Sequence, residues 1–300
     1  MNRRLLLDAS SLAYRAFFAI PTSVTDERGR PVNLLHGYLD MAARLVAARE
    51  PDAAVHVYDD DWKPAPRVAA FAGYKAARQP DPEGLPEQLE LLRTVLDALG
   101  LPQADAPGWE AEDAIGAIAA AAGTSDRIDI VTGDRDLIQL VRDPVVRVLF
   151  TVKGVSELRV LDEKGVRERF GVPSSRYTEF AMLRGDPSDG LPGVRGVGEK
   201  TARALVEAYP SIDAMLEDAD RSHPRRRPVK GSPALRAKLR DAHDYLRAMR
   251  DVVPIRTDAP VRTWQKDPDP ELVERLGERH RLSGPIKRLL SAMQGAAARD

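Results

Sequence analysis

The chain has 300 residues, 43% of them hydrophobic and 30% charged, with 45 Lys/Arg against 46 Asp/Glu. That size and balance fit one large or two smaller folded units with ample apolar content for a core; no apolar run is long enough to cross a bilayer. With no cysteine, disulfides, thiolate zinc and cysteine nucleophiles are excluded, and a cytoplasmic location fits.

The start, MNRRLLLD, meets an acid at once and predicts a buried first strand rather than a targeting segment. Residues 4–8 (RLLLD), 53–59 (AAVHVYD) and 128–134 (IDIVTGD) repeat one pattern, an apolar run ending in an acid. Amphipathic helical stretches lie between them, at 33–49, 87–99 and 111–122. This alternation predicts an α/β fold with a mostly parallel central sheet flanked by helices. Ligands of such sheets bind beyond the carboxyl ends of the strands, so the acids would share one rim. Residues 62–84 carry Lys63, Arg67, Lys75 and Arg78 among four prolines, without strand pattern, and predict a long functional loop.

Apolar segments on either side of Lys153-Gly154 suggest an edge strand pair within 145–161. Helices are expected at 162–170 with Asp162 as N-cap, at 174–183, 200–208, 232–250 and 270–277. The Pro/Arg-rich stretch 220–232 is expected to be a mobile loop, and 294–300 a frayed tail. Ten Lys/Arg and only Asp241 and Asp244 as acids fall between Arg221 and Arg250. The neutral total therefore divides into acidic strand ends and a basic C-terminal part, a distribution suited to gripping nucleic acid.

The most informative stretch is 183–202, LRGDPSDGLPGVRGVGEKTA. Asp186 and Asp189 sit on a short turn where carboxylates could converge on a metal. The glycine run Gly193, Gly196, Gly198 then opens a helix near Glu199-Lys200-Thr201. Such a turn lets backbone N–H groups approach a phosphate, and the helix N-terminus favours negative charge. Glu110 and Asp113 share a helix face beside Glu112, and Asp134 and Asp136 follow an apolar strand. Singly, each acid pair also suits an ordinary helix start or turn.

GDPSDGLPGVRGVGEKTA resembles the metal-site turn and helix-three-turn-helix of the 5′ nuclease superfamily, the flap endonucleases and the 5′ nuclease domain of bacterial DNA polymerase I. Gly190 stands where the bacterial motif usually has Asn. GYKAAR at 73–78 is similar to the family's YKxxR arch motif. The resemblance implies a PIN/resolvase-like nuclease core at 1–171 with an arch at about 62–84, and a helix-three-turn-helix DNA-binding subdomain at 172–293. It implies metal-binding carboxylates at Asp8, Asp59, Glu110, Glu112, Asp113, Asp134, Asp136, Asp186 and Asp189. Glu112, Asp134, Asp136 and Asp186 are expected closest to the metals, the others acting partly through water. Glu112 replaces the Asp of the bacterial ExDD pattern, as in the ExE of archaeal and eukaryotic members.

By the same resemblance, Lys75, Arg78 and Arg15 act on the scissile phosphate. Tyr74, Arg67, Gly193, Gly196, Gly198, Lys200 and Thr201 are expected to contact DNA, with a core position equally open for Tyr74. Two or more Mg²⁺ or Mn²⁺ would supply activated water and charge neutralisation, with K⁺ expected at the helix-three-turn-helix. Asp60 and Asp61 are extra acids whose roles stay open. The implied activity is flap endonuclease and 5′-3′ exonuclease on DNA with a 5′ flap, gap or duplex 5′ end. The protein would act as a cytoplasmic monomer beside a DNA polymerase and ligase. It is expected to stand alone, since too little chain follows Met293 for a polymerase. A haloacid-dehalogenase-like phosphatase would need a second acid at Ser10, and a toprim-type site would leave 183–202 unexplained. The alternative within the family is a catalytically weak DNA-junction binder.

Overall fold

The computed structural model describes residues 2–221 and 232–297, so most of the stretch expected as a mobile loop lies outside the described residues. The first half runs β1 (Arg3–Asp8), α1 (Ala9–Ala19), α2 (Asn33–Arg49), β2 (Ala53–Val57), α3 (Ala65–Ala70), α4 (Leu85–Ala98), β3 (Gln103–Asp105), α5 (Ala111–Ala120), β4 (Arg127–Thr132), β5 (Val146–Lys153) and β6 (Glu157–Leu161). Then come α6 (Glu163–Phe170), α7 (Tyr177–Arg184), α8 (Glu199–Ala208), α9 (Ile212–Asp220), α10 (Pro233–Asp241), α11 (His243–Val252), β7 (Arg262–Trp264), α12 (Pro270–Arg279) and α13 (Ser283–Ala297).

The strands form one sheet in the order β6-β5-β4-β1-β2-β3-β7. β1 to β5 are parallel, and β6 and β7 run antiparallel at the two edges. The residues of β1 show why its leucines are consecutive: Leu5 and Leu7 enter one apolar layer and Leu6 the other, all fully buried. A sheet covered on both faces requires apolar side chains at successive positions. From β1 the chain goes outward through β2 and β3, then returns to the other side of β1 with β4. The order reverses between β1 and β4, and a crevice opens there beyond the carboxyl ends. Asp8 and Thr132, the last residues of those strands, stand at that crevice.

Three parts differ from the expectation. The part expected as a C-terminal subdomain returns to the first half in two places: β7 completes the central sheet against β3, and α13 packs on α2. Arg262 secures that return by pairing with Asp105 (2.8 Å) and Asp60 (2.9 Å), and Leu282, Ile286 and Leu289 fill the apolar layer around α2. The expected frayed tail is partly helical, since α13 runs to Ala297; residues 298–300 lie outside the described residues. The single helix expected over 232–250 breaks at Ala242 into α10 and α11. The other expected helices agree with α2, α4, α5, α6, α7, α8 and α12 to within a few residues, whereas α1, α3 and α9 are not among those expected; Asp162 caps α6 by accepting from the Gly165 amide at 2.7 Å.

Candidate active site

The carboxylates arrive from three strand ends, the start of one helix and one tight turn. Asp8 ends β1 and caps α1, accepting from the Ser11 amide (3.1 Å); its other oxygen accepts from the Thr132 hydroxyl at the end of β4 (2.6 Å). Asp59, just past β2, accepts from the Ala111 amide (2.7 Å) and so pins the start of α5. Glu110 is the N-cap of α5 in a capping box with Asp113. Asp134 and Asp136 follow β4, with the Asp136 amide donating to Asp134 (2.8 Å). Asp186 and Asp189 flank the tight turn at Pro187–Asp189. All of these acids except Asp113 and Asp136 line one cleft of about 1260 Å³, together with Arg15, Lys75 and Arg78.

At that cleft, ligand oxygens of Glu112 and Asp134, which line it, and of Asp136 beside them lie within 4.8 Å of one another. Hard carboxylate oxygens at that spacing suit a divalent cation. Electrostatics points the same way. Withdrawal from water and then repulsion by Asp134, Asp189 and Asp186 push the Asp136 carboxyl well above its ordinary value. Burial and the neighbouring acids do the same to Glu112, with Arg67 pulling against them. Burial raises Asp189 to about 6, against the opposing pull of Lys75. Asp8 is raised to about 7 by burial, even though the Thr132 hydrogen bond favours its charged form. Acids this crowded bind protons when nothing else neutralises them.

A second acid group behaves differently. Glu110, Glu112 and Asp113 share the guanidinium of Arg67, with Glu112 and Asp113 each at 2.8 Å. Arg67 is 1% exposed. Glu110 also accepts from the Tyr74 hydroxyl (2.5 Å) and from Lys75 Nζ. One oxygen of Asp113 accepts from the Arg256 amide as well as from Arg67, and the other accepts from the Glu110 amide. Asp113 is completely buried and both its oxygens already accept hydrogen bonds, although ligand oxygens of Glu110, Glu112 and Asp113 also lie within 4.8 Å of one another.

Arg67 and Tyr74 are buried as well, Tyr74 in the core position that the sequence leaves open beside a base contact. The loop expected to stand over the cleft instead packs its base into the core, and both side chains are buried among acids rather than presented to a duplex. Lys75 is buried too, between Glu110 and Asp189. Arg78 is exposed and stacks over Trp62 at 5.3 Å. Arg15 lies against Gly133, where its guanidinium leaves no space for a side chain. Asp60 and Asp61 receive roles the sequence left open: Asp60 holds the Gly108 amide and Arg262, and Asp61 closes its own turn on the Lys63 amide.

The glycine run also divides. The Gly193 amide donates to the Tyr245 hydroxyl (3.0 Å), and a side chain there would strike the Arg184 carbonyl. The Gly193 amide is therefore engaged within the protein. Gly196, Gly198 and Lys200 are exposed and Thr201 is half-buried at the N-terminus of α8. Lys238 of α10 reaches the Gly196 turn, with Nζ 2.6 Å from where a Cβ would stand. Sequence reasoning missed Lys238, Thr132 and Arg67 as partners. Only the basic bias of 221–250 and the position of Thr132 two residues before Asp134 hinted at the first two.

An open parallel sheet with a carboxylate-lined crevice at its switch point, followed by a helical part with an exposed glycine turn, defines a resolvase-like nuclease class. Residues 3–171 match the 5′-3′ exonuclease, N-terminal resolvase-like domain, and residues 172–271 match the 5′-3′ exonuclease, C-terminal SAM fold. The chain belongs to the 5′-3′ exonuclease family. It is 39% identical over 317 residues to a 5′-3′ exonuclease of Mycobacterium tuberculosis, covering 96% of this chain and 97% of that one. It is 40% identical over 309 residues to a 5′-3′ exonuclease of Streptomyces coelicolor, covering 96% and 99%. Its fold is similar to that of the bacteriophage T5 D15 flap endonuclease solved with DNA and metal ions, at a TM-score of 0.66 and 16% identity over 99% of this chain and 100% of that one.

Proposed function

We propose that this nuclease hydrolyses phosphodiesters at 5′ flaps and duplex 5′ ends of DNA, with Mg²⁺ or Mn²⁺ held by Glu112, Asp134 and Asp136. The observation that carries the reading is the convergence of those three carboxylates, within 4.8 Å, at the crevice between β1 and β4. Divalent metal, when bound, supplies a water that is nucleophilic at neutral pH and neutralises phosphate charge. Asp186 and Asp189 border the same pocket, and Asp8 and Asp59 anchor the backbone that carries it.

The chain's own cations act on the substrate. Arg15 and Arg78 line the cleft and would bind the phosphate as it enters. Lys75, with Nζ between Glu110 and Asp189, would stabilise charge on the reacting phosphoryl oxygens. Gly196, Gly198, Lys200 and Lys238 offer a sequence-independent grip on the duplex backbone, and carbonyls of that turn are the proposed K⁺ site. The T5 relative was solved with DNA and metal ions, which supports both halves of the reading. Action as a cytoplasmic monomer beside a polymerase and ligase is part of the same proposal; among the described residues no helix is long and apolar enough to cross a membrane.

Incubation with a 5′-flap duplex plus Mg²⁺ or Mn²⁺, with and without chelator, tests the proposal. Cleavage near the junction that stops on chelation is expected. Cleavage that survives excess chelator, or tight junction binding without cleavage, would overturn it.

A further inference from the structure

The segment carrying Lys75 is held against the metal-site turn by its backbone as well as by its charge. The Lys75 amide donates to the Asp189 carbonyl at 2.9 Å. Lys75 itself has φ 49°, a left-handed conformation that a non-glycine side chain seldom adopts. Around it a tight turn is closed by Tyr74 N–H to Phe71 O (2.9 Å) and Ala76 N–H to Gly73 O (3.2 Å). The turn rests on Gly190: a Cβ there would lie 2.5 Å from the Gly73 carbonyl oxygen and 3.7 Å from the Lys75 nitrogen. Two backbones therefore meet where any side chain would separate them.

We propose that Gly190 is a positioning residue for Lys75: its missing side chain lets the 71–78 turn dock on Asp189–Gly190 and presents Nζ to the acid cleft before any substrate binds. The inference rests on the nuclease reading for its catalytic consequence but not for its geometry. A simpler alternative is that Gly190 serves only its own backbone, since its φ is +73°. Two comparisons separate these. Gly29 has φ +75° and nothing within 4 Å of its would-be Cβ, so Gly29→Ala incurs the conformational cost without the contact. Asn tolerates left-handed backbone, so Gly190→Asn would be mild if conformation were the whole story.

Amide hydrogen exchange on the DNA-free full chain reads the docking directly, since the Lys75 N–H is the bonded group. Protection around Lys75 should fall by about tenfold or more in both Gly190→Ala and Gly190→Asn and stay unchanged in Gly29→Ala. In flap cleavage, both Gly190 variants should lose about tenfold in kcat with little change in KM. Gly190→Ala should add no further loss in a Lys75→Ala background. Wild-type exchange in Gly190→Asn, or rate losses that multiply in the double variant, would overturn the proposal. Absence of cleavage by the wild-type chain would instead overturn the nuclease reading, leaving exchange to decide the positioning role.

Discussion

Two groups of acids a few ångströms apart are treated in opposite ways. Glu110 and Asp113 are buried and answered by the protein itself, through Arg67, Tyr74, Lys75 and backbone amides. Asp134 lines the cleft with Asp136 beside it, and the hydrogen bond to the Asp134 side chain comes from its own loop. Glu112 belongs to both groups, with one oxygen on Arg67 and the carboxylate within reach of Asp134 and Asp136. The first arrangement holds the fold together, because buried charges must be paired. The second leaves a negative cleft that an external cation can neutralise. Being acidic is common to both; the supply of cation tells a structural carboxylate from a chemical one.

The contrast can be broken most sharply at Asp134. Asp134→Ala should lower cleavage by at least about 10³-fold, with duplex binding retained in a gel-shift assay. Its melting temperature should match or exceed that of the wild type without metal, since a repulsive charge is gone. An equal loss of binding would contradict the assigned role. Arg67→Met should do the reverse to stability. Removing one partner of a buried ionic group costs about 3–5 kcal/mol, measurable by urea denaturation, and a stability near wild type would show that the first group is not held by Arg67.

A smaller effect concerns pH. The raised Asp8 carboxyl titrates near 7 in the folded chain. Between the ordinary carboxylate range and pH 7 the folded state therefore holds a proton that the unfolded state has lost, and stability falls as pH rises through that window. Asp8→Asn removes the dependence, so its melting temperature should gain on wild type from pH 4 to pH 8. A constant difference would contradict the assignment. Smallest is Lys200→Ala, which should weaken duplex binding uniformly and reduce the salt slope of affinity by about one, leaving kcat unchanged.

Much of the acid rim could be read from residues alone, because a parallel sheet buried on both faces forces an apolar run to end abruptly, as LLLD and IDIVTGD do. The exposed end of the glycine turn was equally legible, since Gly198 caps α8 as the run predicts. What the sequence hid depends on distant pairing. Arg67 lies 43 residues from Glu110, on a helix of six residues too short to show periodicity. Arg262 joins Asp105 across 157 residues through a strand of three. Gly193 looked like its neighbours until Tyr245 took its amide.

Anomalous diffraction from crystals soaked in Mn²⁺ tests the division of acids most directly. Density is expected within coordination distance of Glu112, Asp134 and Asp136, with none beside Asp113 and Arg67. Manganese lodged against Asp113 with Arg67 displaced, or no manganese in the cleft at concentrations that support cleavage, would contradict the account.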